Sequence, residues 1–304
     1  MKAMILAAGL GTRLRPLTLK MPKALLPVAN RPLIDRTIAY LKAQGVSRIV
    51  VNAHHCHRRM VEHLANNHAF GMGMDVRVEP DILGTGGGIK NTADFWDAEP
   101  FIVINGDILT DIDLSQAYEM HQRKGALATL VLHDYGPFNQ IRVDRALDIR
   151  DIARETPSGR PGRLAFTGVH VMDPALLTYI PEGVFSDIID CYRGLIKSGI
   201  PPKAHVVKGH YWRDIGTVRS YVLANREYVM KENRLLAAPN CRIDPSVTLA
   251  EWAVIGENGN VEEGAEIRRS ILWEKVKVRK GVKVIDSIVT SSKEVASDLI
   301  DGIL

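Results

Sequence analysis

Four stretches of the chain hold residues whose types and spacing could do chemistry on a phosphate. The first is the opening, MKAMILAAGLGTRLRPLTLKMPKALLP. An apolar run over residues 3–8 leads into Gly9 and Gly11, then Thr12, Arg13 and Arg15, then Lys20 and Lys23. A short apolar run bounded by glycines reads as a buried strand. A glycine-rich turn after such a strand lets backbone N–H groups approach a phosphate closely. Arg13 and Lys23 add positive charge to that cradle. The same residues would also make a strand, a tight turn and a solvated basic loop. The second stretch is Glu79-Pro80-Asp81-Ile82-Leu83-Gly84-Thr85-Gly86-Gly87. The third and fourth are Asn105-Gly106-Asp107 and Arg213-Asp214-Ile215-Gly216-Thr217, each placing an aspartate where an apolar strand ends. Read alone, each of those aspartates is a turn or capping residue.

Two common phosphate-binding templates fail. A dinucleotide fingerprint needs a third glycine three residues after Gly11, and that position is Leu14. A P-loop needs Gly-Lys-Ser/Thr after a four-residue gap, which is absent.

The elements that must position these stretches alternate. Residues 32–44 read as an amphipathic helix, with Leu33, Ile34, Ile38 and Leu41 near helical spacing and Gly45 after it. Residues 48–53 read as a strand, 57–66 as a helix and 74–79 as a strand. The glycine run 84–88 leads into a helix to residue 95. Strands at 101–105 and 126–133 enclose a helix at 114–124. This βαβα order predicts a mostly parallel sheet with helices on both faces, whose ligands sit outside the carboxyl ends of the strands. The opening loop, the 84–88 loop and Asp107 all fall at such ends. Residues 139–163 loosen into a loop-rich excursion with a small side sheet. Then come a strand at 165–172, helices at 174–179 and 187–197, a strand at 204–212 and a long helix from 218 to about 234.

Beyond Pro239 the pattern changes. Ile243, Leu249, Ile255, Val261 and Ile267 recur every six residues; Leu272, Val278 and Val284 keep the period after a one-residue slip. Smaller or apolar residues follow four positions on, at Val247, Ala253, Ala265, Val276 and Val282. A six-residue repeat of this kind predicts a short parallel β-helix, whose turns bury their apolar edges only by stacking. The tail, 291–304, reads as a weakly amphipathic closing segment.

Composition narrows the function classes. A formal charge of +4 suits small anionic substrates and is too weak to argue for nucleic acid. The cysteines, Cys56, Cys191 and Cys241, are scattered, with neither a disulfide framework nor metal-ligand spacing, which points to a reducing cytoplasm. No apolar run approaches the roughly 20 residues of a membrane span. His54, His55 and His57 cluster at a strand end without the companion cysteines or histidines of a metal site.

The opening pattern Leu-Ala-Ala-Gly-x-Gly-Thr-Arg-Leu-x-Pro-Leu-Thr-x-x-x-Pro-Lys resembles the signature of the sugar-1-phosphate nucleotidyltransferases, or nucleotide-sugar pyrophosphorylases. The resemblance extends over essentially the whole chain. It implies an α/β fold with a Rossmann-like (GT-A type) sheet in a catalytic domain over 1–235, a left-handed hexapeptide β-helix over 240–290, and a closing tail over 291–304. The reaction it implies is attack of a sugar 1-phosphate on the α-phosphorus of an NTP, giving an NDP-sugar and pyrophosphate. Because both reactants are polyanions, the task is charge neutralisation and alignment. Mg²⁺ suits it, needing only one or two carboxylates beside substrate phosphates. The resemblance assigns the metal to Asp107 and Asp214 and catalysis to Arg13 and Lys23. It assigns the nucleotide to Leu6, Ala8, Gly9, Gly11, Thr12, Arg13, Glu79, Leu83, Gly84 and Thr85, and the sugar to Asn105, Glu155, Thr167 and Gly168.

The wording Leu-Gly-Thr-x-Gly is similar to mannose-1-phosphate guanylyltransferases, which favours GTP and mannose 1-phosphate, with Glu79 or Asp81 accepting from guanine. The Thr-Gly-Gly-Gly loop is comparable to uridylyltransferases acting on N-acetylmuramate 1-phosphate. One departure stands out: Glu155-Thr156-Pro157 lies where relatives often have Glu-Lys-Pro, so either a nearby cation (Arg142, Arg160 or Arg163) replaces that lysine or the sugar sits differently. A non-catalytic regulatory subunit is the competing expectation, set against the presence of Arg13, Lys23, Asp107 and Asp214 together. An acyltransferase role for the β-helix is disfavoured, because the last histidine is His210. The few coils suit contacts in a homo-oligomer.

Overall fold

The computed structural model describes residues 1–66, 71–155, 162–231 and 234–304. The chain divides into two compact units, and the division cuts through the opening stretch. One unit holds Met1–Leu10, Pro22–Ala24 and Ile34–Arg213; the other holds Gly11–Met21, Leu25–Leu33 and Asp214–Leu304.

In the first unit the apolar runs become strands β1 (Lys2–Leu6), β2 (Arg48–Ala53), β3 (Gly73–Val78), β4 (Phe101–Asn105), β5 (Ala128–His133), β6 (Arg163–Met172) and β7 (Lys203–Val206). Parallel pairings set β3, β2, β1 and β4 side by side. β6 is antiparallel to both β4 and β5, and β7 is parallel to β5. The sheet is therefore mostly parallel, with one reversed strand inserted between β4 and β5. Helices α1 (Leu33–Ala43), α2 (His57–Asn66), α3 (Gly84–Lys90), α4 (Leu114–Lys124) and α5 (Ile188–Lys197) alternate with these strands. Cover on both faces explains why Ala3, Met4, Ile5 and Ile49, Val50, Val51 are all buried without alternation. The side sheet within 139–163 is a hairpin, Ile141–Val143 with Ile149–Ile152, whose first strand also pairs with Arg163 and Leu164.

Element boundaries depart from the expected ones where the chain needs special geometry. The helix expected to reach residue 95 stops at Lys90, and a single 3-10 turn follows at Ala93–Phe95. The segment 174–179 is also 3-10 rather than α-helical, starting at Pro174. The strand expected over 204–212 splits into Lys203–Val206 and Trp212–Asp214, because Gly209 turns left-handed at φ +71 between them. The Asp113 and Asp187 side chains cap α4 and α5.

The second unit is built on helix α6 (Val218–Met230), capped by Thr217 through the backbone N–H of Ser220. Two fully buried polar residues on α6 hold the 25–33 segment. The Tyr221 hydroxyl donates to the Pro27 carbonyl at 2.6 Å, and Asn225 Oδ1 accepts from Ala29 N at 2.8 Å. The coils are held to both. Trp273 Nε1 donates to the Tyr221 hydroxyl at 2.9 Å, and Asn30 Nδ2 donates to the Ile255 carbonyl at 2.9 Å.

The six-residue repeat closes into parallel coils. Leu249, Ile267, Val284 and Leu299 stack in one ladder; Ile243, Val261, Val278 and Val295 in a second; Ala237, Ile255, Leu272 and Val289 in a third. Consecutive members of the repeat thus fall on successive sides of a three-sided β-helix. The tail contributes its last rungs, Glu294–Val295 and Leu299–Ile300.

Tyr221→Phe leaves both the Trp273 N–H and the Pro27 carbonyl without their partner. The expected loss is about 1–3 kcal/mol of stability, read as a lower denaturant midpoint for the second unit with unchanged secondary structure.

Candidate active site

The carboxyl ends of β1, β2 and β4 open onto a pocket of about 240 Å³. It brings together Leu6, Ala8 and Gly9 from the opening, Gly84 and Thr85 from the glycine run, and Asn105 and Asp107 from β4 and its turn. Asn52 and Ile82 complete the lining. The sequence reading missed Asn52; its signal was an amide side chain near the end of the apolar strand Arg-Ile-Val-Val-Asn-Ala.

Asn52 is buried, with both ends of its amide bonded. Its Oδ1 accepts from Ala7 N at 2.7 Å and its Nδ2 donates to Glu79 Oε1 at 2.7 Å. Glu79 Oε2 accepts from Leu83 N at 3.0 Å. Glu79, expected to face the base, is only 1% exposed and does not line the pocket. Its carboxylate is drawn inward by the Asn52 amide and the Leu83 N–H, so Asp81 is the exposed acid of that stretch. The glycine run is explained first by protein contacts. A Cβ on Gly84 would lie 2.6 Å from the Ser186 carbonyl, which accepts from Gly86 N at 2.7 Å. A Cβ on Gly88 would lie 2.7 Å from Asn52 Nδ2 and 2.8 Å from Glu79 Oε1. Thr85 Oγ1 accepts from Ile188 N at 3.0 Å and donates to Asp187.

At the pocket floor Lys23 Nζ is ion-paired with Asp107 Oδ2 in a very short contact. Asp107 Oδ1 has no hydrogen-bond partner among the described residues. Lys23 is largely buried, so the pair is more strongly coupled than a surface ion pair.

In the second unit Gly11 adopts the left-handed conformation at φ +62, and its carbonyl accepts from Leu14 N at 3.0 Å and Thr18 Oγ1 at 2.7 Å. Leu14 and Leu17 are buried and anchor the loop, leaving Thr12 and Arg13 exposed. Asp214 sits one turn before α6, with its carbonyl accepting from Ser220 Oγ. The Asp214 carboxylate and the Arg13 guanidinium both close over Gly216: a Cβ there would lie 2.8 Å from Asp214 Oδ2 and 2.9 Å from Arg13 Nη2.

Of the expected sugar residues, Asn105 lines the pocket and touches Gly168, which is left-handed at φ +82. Thr167 is turned inward: its hydroxyl is fully buried and donates to the Val131 carbonyl at 2.8 Å. Glu155 is exposed, and Thr156 and Arg160 lie outside the described residues. Arg163 is committed to Asp151 and the Gln140 carbonyl, both at 2.5 Å, so of the two described candidates Arg142 is the exposed one. Trp212 Nε1 donates to the Thr167 carbonyl at 2.8 Å, and its ring stands edge-on to His133 and Tyr135. His133 Nδ1 meets His210 Nε2 at 3.1 Å. Burial, with His210 adding to it, lowers the His133 pKa to about 4. Burial alone lowers that of His170, in the core against the Tyr192 hydroxyl, to about 3. His54 and His57 are hydrogen-bonded to the Glu79 and His54 carbonyls. Among the described residues no three His, Cys, Asp or Glu side chains gather to hold a metal unaided.

Comparison with known proteins shows the family. The nucleotidyl transferase family matches residues 2–231. The N-acetylmuramate alpha-1-phosphate uridylyltransferase of Neisseria meningitidis serogroup B is 34% identical, over 72% of this chain and 94% of its own. The mannose-1-phosphate guanylyltransferase of Mycobacterium tuberculosis is 25% identical over 92% of this chain and 81% of its own. The solved structure of HddC from Yersinia pseudotuberculosis complexed with GMP-PN superposes with a TM-score of 0.64 at 26% identity, covering 75% of this chain and 99% of that one.

The buried histidines set an acid limit on stability. A histidine whose pKa is depressed in the folded state stabilises the fold above its unfolded value of about 6.5, and that contribution is lost as pH falls through the folded value. For His133 and His170 the window runs from about 6.5 down to about 4 and about 3. Denaturant midpoints are expected to fall steadily across it, and His133→Gln to flatten the slope.

Proposed function

The chain belongs to the nucleotidyl transferase family, and from that premise we propose that it joins a nucleotidyl group from an NTP to a sugar 1-phosphate. A phosphate oxygen of the sugar attacks the α-phosphorus, the bond to the β-phosphate oxygen breaks, and pyrophosphate leaves. The observation that carries the reading is the Lys23–Asp107 pair at a pocket walled by the backbone of Ala8 and Gly9. Lys23 neutralises charge at the α-phosphate and on the leaving group. Arg13 clamps the outer phosphates, held in place by a loop that Leu14 and Leu17 anchor. Thr12 and Gly11 contribute the turn against which the triphosphate lies.

The family uses a divalent metal as a rule, and Mg²⁺ is our assignment. Asp107 fits the role, since one carboxylate oxygen is held by Lys23 and the other has no hydrogen-bond partner among the described residues. Asp214 would supply the second carboxylate. When bound, the ion would add the positive charge that lets two polyanions approach.

For the base we favour GTP, with mannose 1-phosphate as acceptor. Support comes from the Leu83-Gly84-Thr85 wording, from the Mycobacterium tuberculosis guanylyltransferase that matches over 92% of this chain, and from the GMP-PN complex of HddC. In that reading the backbone of Leu83 to Thr85 meets the base, with the exposed Asp81 as its acidic acceptor and the buried Glu79 holding the loop from beneath. The 34% identical uridylyltransferase favours a second pairing, UTP with N-acetylmuramate 1-phosphate. Asn105, Glu155 and Gly168 are our sugar contacts, with Arg142 replacing the missing lysine at Thr156. No helix among the described residues is long and apolar enough to cross a membrane. A cytoplasmic location and assembly through the β-helix belong to the same proposal.

Pyrophosphate release measured with four NTPs against mannose, glucose, N-acetylglucosamine, N-acetylmuramate and heptose 1-phosphates is expected to single out one pairing. Silence across the matrix would favour a regulatory subunit. Asp107→Asn and Asp214→Asn should each abolish metal-dependent turnover, and Lys23→Ala should lower kcat by roughly 10²-fold or more. Wild-type turnover in both aspartate variants would sink the metal assignment.

A further inference from the structure

The second unit carries another cavity, a groove of about 430 Å³ between α6 and one side of the β-helix. That volume is in the range of small-molecule sites, roughly 300–1,000 Å³. Its floor is apolar, made by Val222 and Leu223 of α6 against Trp252, Ile271, Ile288 and Ile303 of the coils. Two arginines rise from the helix wall, Arg219 and Arg226. Both are exposed, and neither has an ion-pair or hydrogen-bond partner among the described residues. Seven positions apart, they share one helix face about 10 Å apart along the axis. Their long side chains can converge on a single anion lying over Leu223.

The opposite wall differs. Asp286 is neutralised by Arg269, whose Nε and Nη2 reach its two oxygens at 2.6 and 2.5 Å. Asp301 is exposed, lines the groove and has no side-chain partner among the described residues. The groove is therefore polarised: two uncommitted guanidiniums on one wall, an apolar floor, and one uncommitted carboxylate on the other. A ligand matching it has a di-anionic end for planar guanidinium forks, a flat apolar middle, and hydroxyl or N–H donors at its far end.

We propose that this groove is a second binding site for a nucleoside diphosphate, free or as the diphosphate moiety of a nucleotide sugar. The diphosphate engages Arg219 and Arg226, the base lies against the half-buried Val222 and Ile303 above the buried Trp252, Ile271 and Ile288, and Asp301 accepts from ribose hydroxyls or base N–H groups. The groove is built on the first three turns of α6, the helix whose Ser220 holds the Asp214 carbonyl. A ligand seated there loads the element that positions Asp214.

The test is binding stoichiometry on the full chain, which needs no turnover and so separates this site from the proposed reaction. Equilibrium dialysis with GDP, UDP, GDP-mannose and UDP-glucose is compared between wild type and Arg219→Ala/Arg226→Ala. The double variant is expected to take up one diphosphate fewer per chain, with basal pyrophosphate release unchanged. Equal stoichiometry in the two proteins overturns the site. Free diphosphates binding there more tightly than nucleotide sugars would mark the former as the occupant, and the reverse order the latter. Asp301→Gly should weaken the groove's hold on the nucleotides at least ~10-fold while sparing inorganic pyrophosphate. Pyrophosphate that fills the groove as tightly as GDP overturns the nucleoside part.

Discussion

A carboxylate taken out of water has to be met by donors, and Glu79 is the place in the first unit where that requirement organises everything around it. Its two oxygens are held by the Asn52 amide and the Leu83 N–H, and Asn52 in turn receives the Ala7 N–H. Three chain segments leave the sheet there: the opening loop after β1, the end of β2, and the turn into α3. One chain of buried hydrogen bonds fixes all three exits. Ala8 and Gly9 face the pocket because Ala7 is pinned directly before them. The glycine run stays glycine because Gly88 lies against this network and Gly84 and Gly86 lie against Ser186. A half-satisfied network would be worse than none, since each orphaned group would carry its full desolvation cost. The pocket walls are thus set by polar bonding beneath them, and the apolar strands supply the platform.

The charged residues follow a different logic. Lys23 and Asp107 neutralise each other, which lets both sit at a partly buried floor without the penalty of an isolated ion. A phosphate brought to that floor would take Lys23 as its partner and leave the Asp107 carboxylate to be met by a cation. This is the economy expected of a site for polyanions, where preorganised cations act in a partly dehydrated space. Arg13 and Asp214 both lie over the bare α-carbon of Gly216, where any side chain would collide with both.

Much of this was legible in the residues. The strands at 48–53 and 101–105 and the helices at 57–66 and 114–124 fall where apolar spacing put them, because each buries a continuous stripe whatever its partners. The six-residue repeat was read correctly for the same reason: a β-helix rung is local in sequence and repeats. The inward turn of Thr167 and Glu79 was not legible. Both lie in motifs whose wording suggests ligand contact, but their orientation depends on Val131, Asn52 and Leu83, partners distant in sequence or hidden by the turn. The reversed strand β6 was likewise invisible, since a strand's own pattern carries no record of which neighbours it runs against.

The assignment of Gly11–Met21 and Leu25–Leu33 to the unit of the coils carries the argument furthest. The signature loop looks like the start of a sheet domain, yet its stability is bound to residues 194 to 225 positions later. Tyr221 and Asn225 reach from α6 to Pro27 and Ala29, Asn30 reaches to Ile255, and Trp273 closes on Tyr221. Each is a directional polar contact at least partly out of water, so each specifies geometry as well as adding stability. The β-helix therefore does more than end the chain. Through Trp273 and Ile255 it supports α6 and the 25–33 segment, and α6 carries Asp214 at its amino end. A short solenoid with few coils has little stability of its own. Fusing it to α6 gives it a partner to stack against, and gives the loop bearing Arg13 a rigid base that its own glycines could not provide.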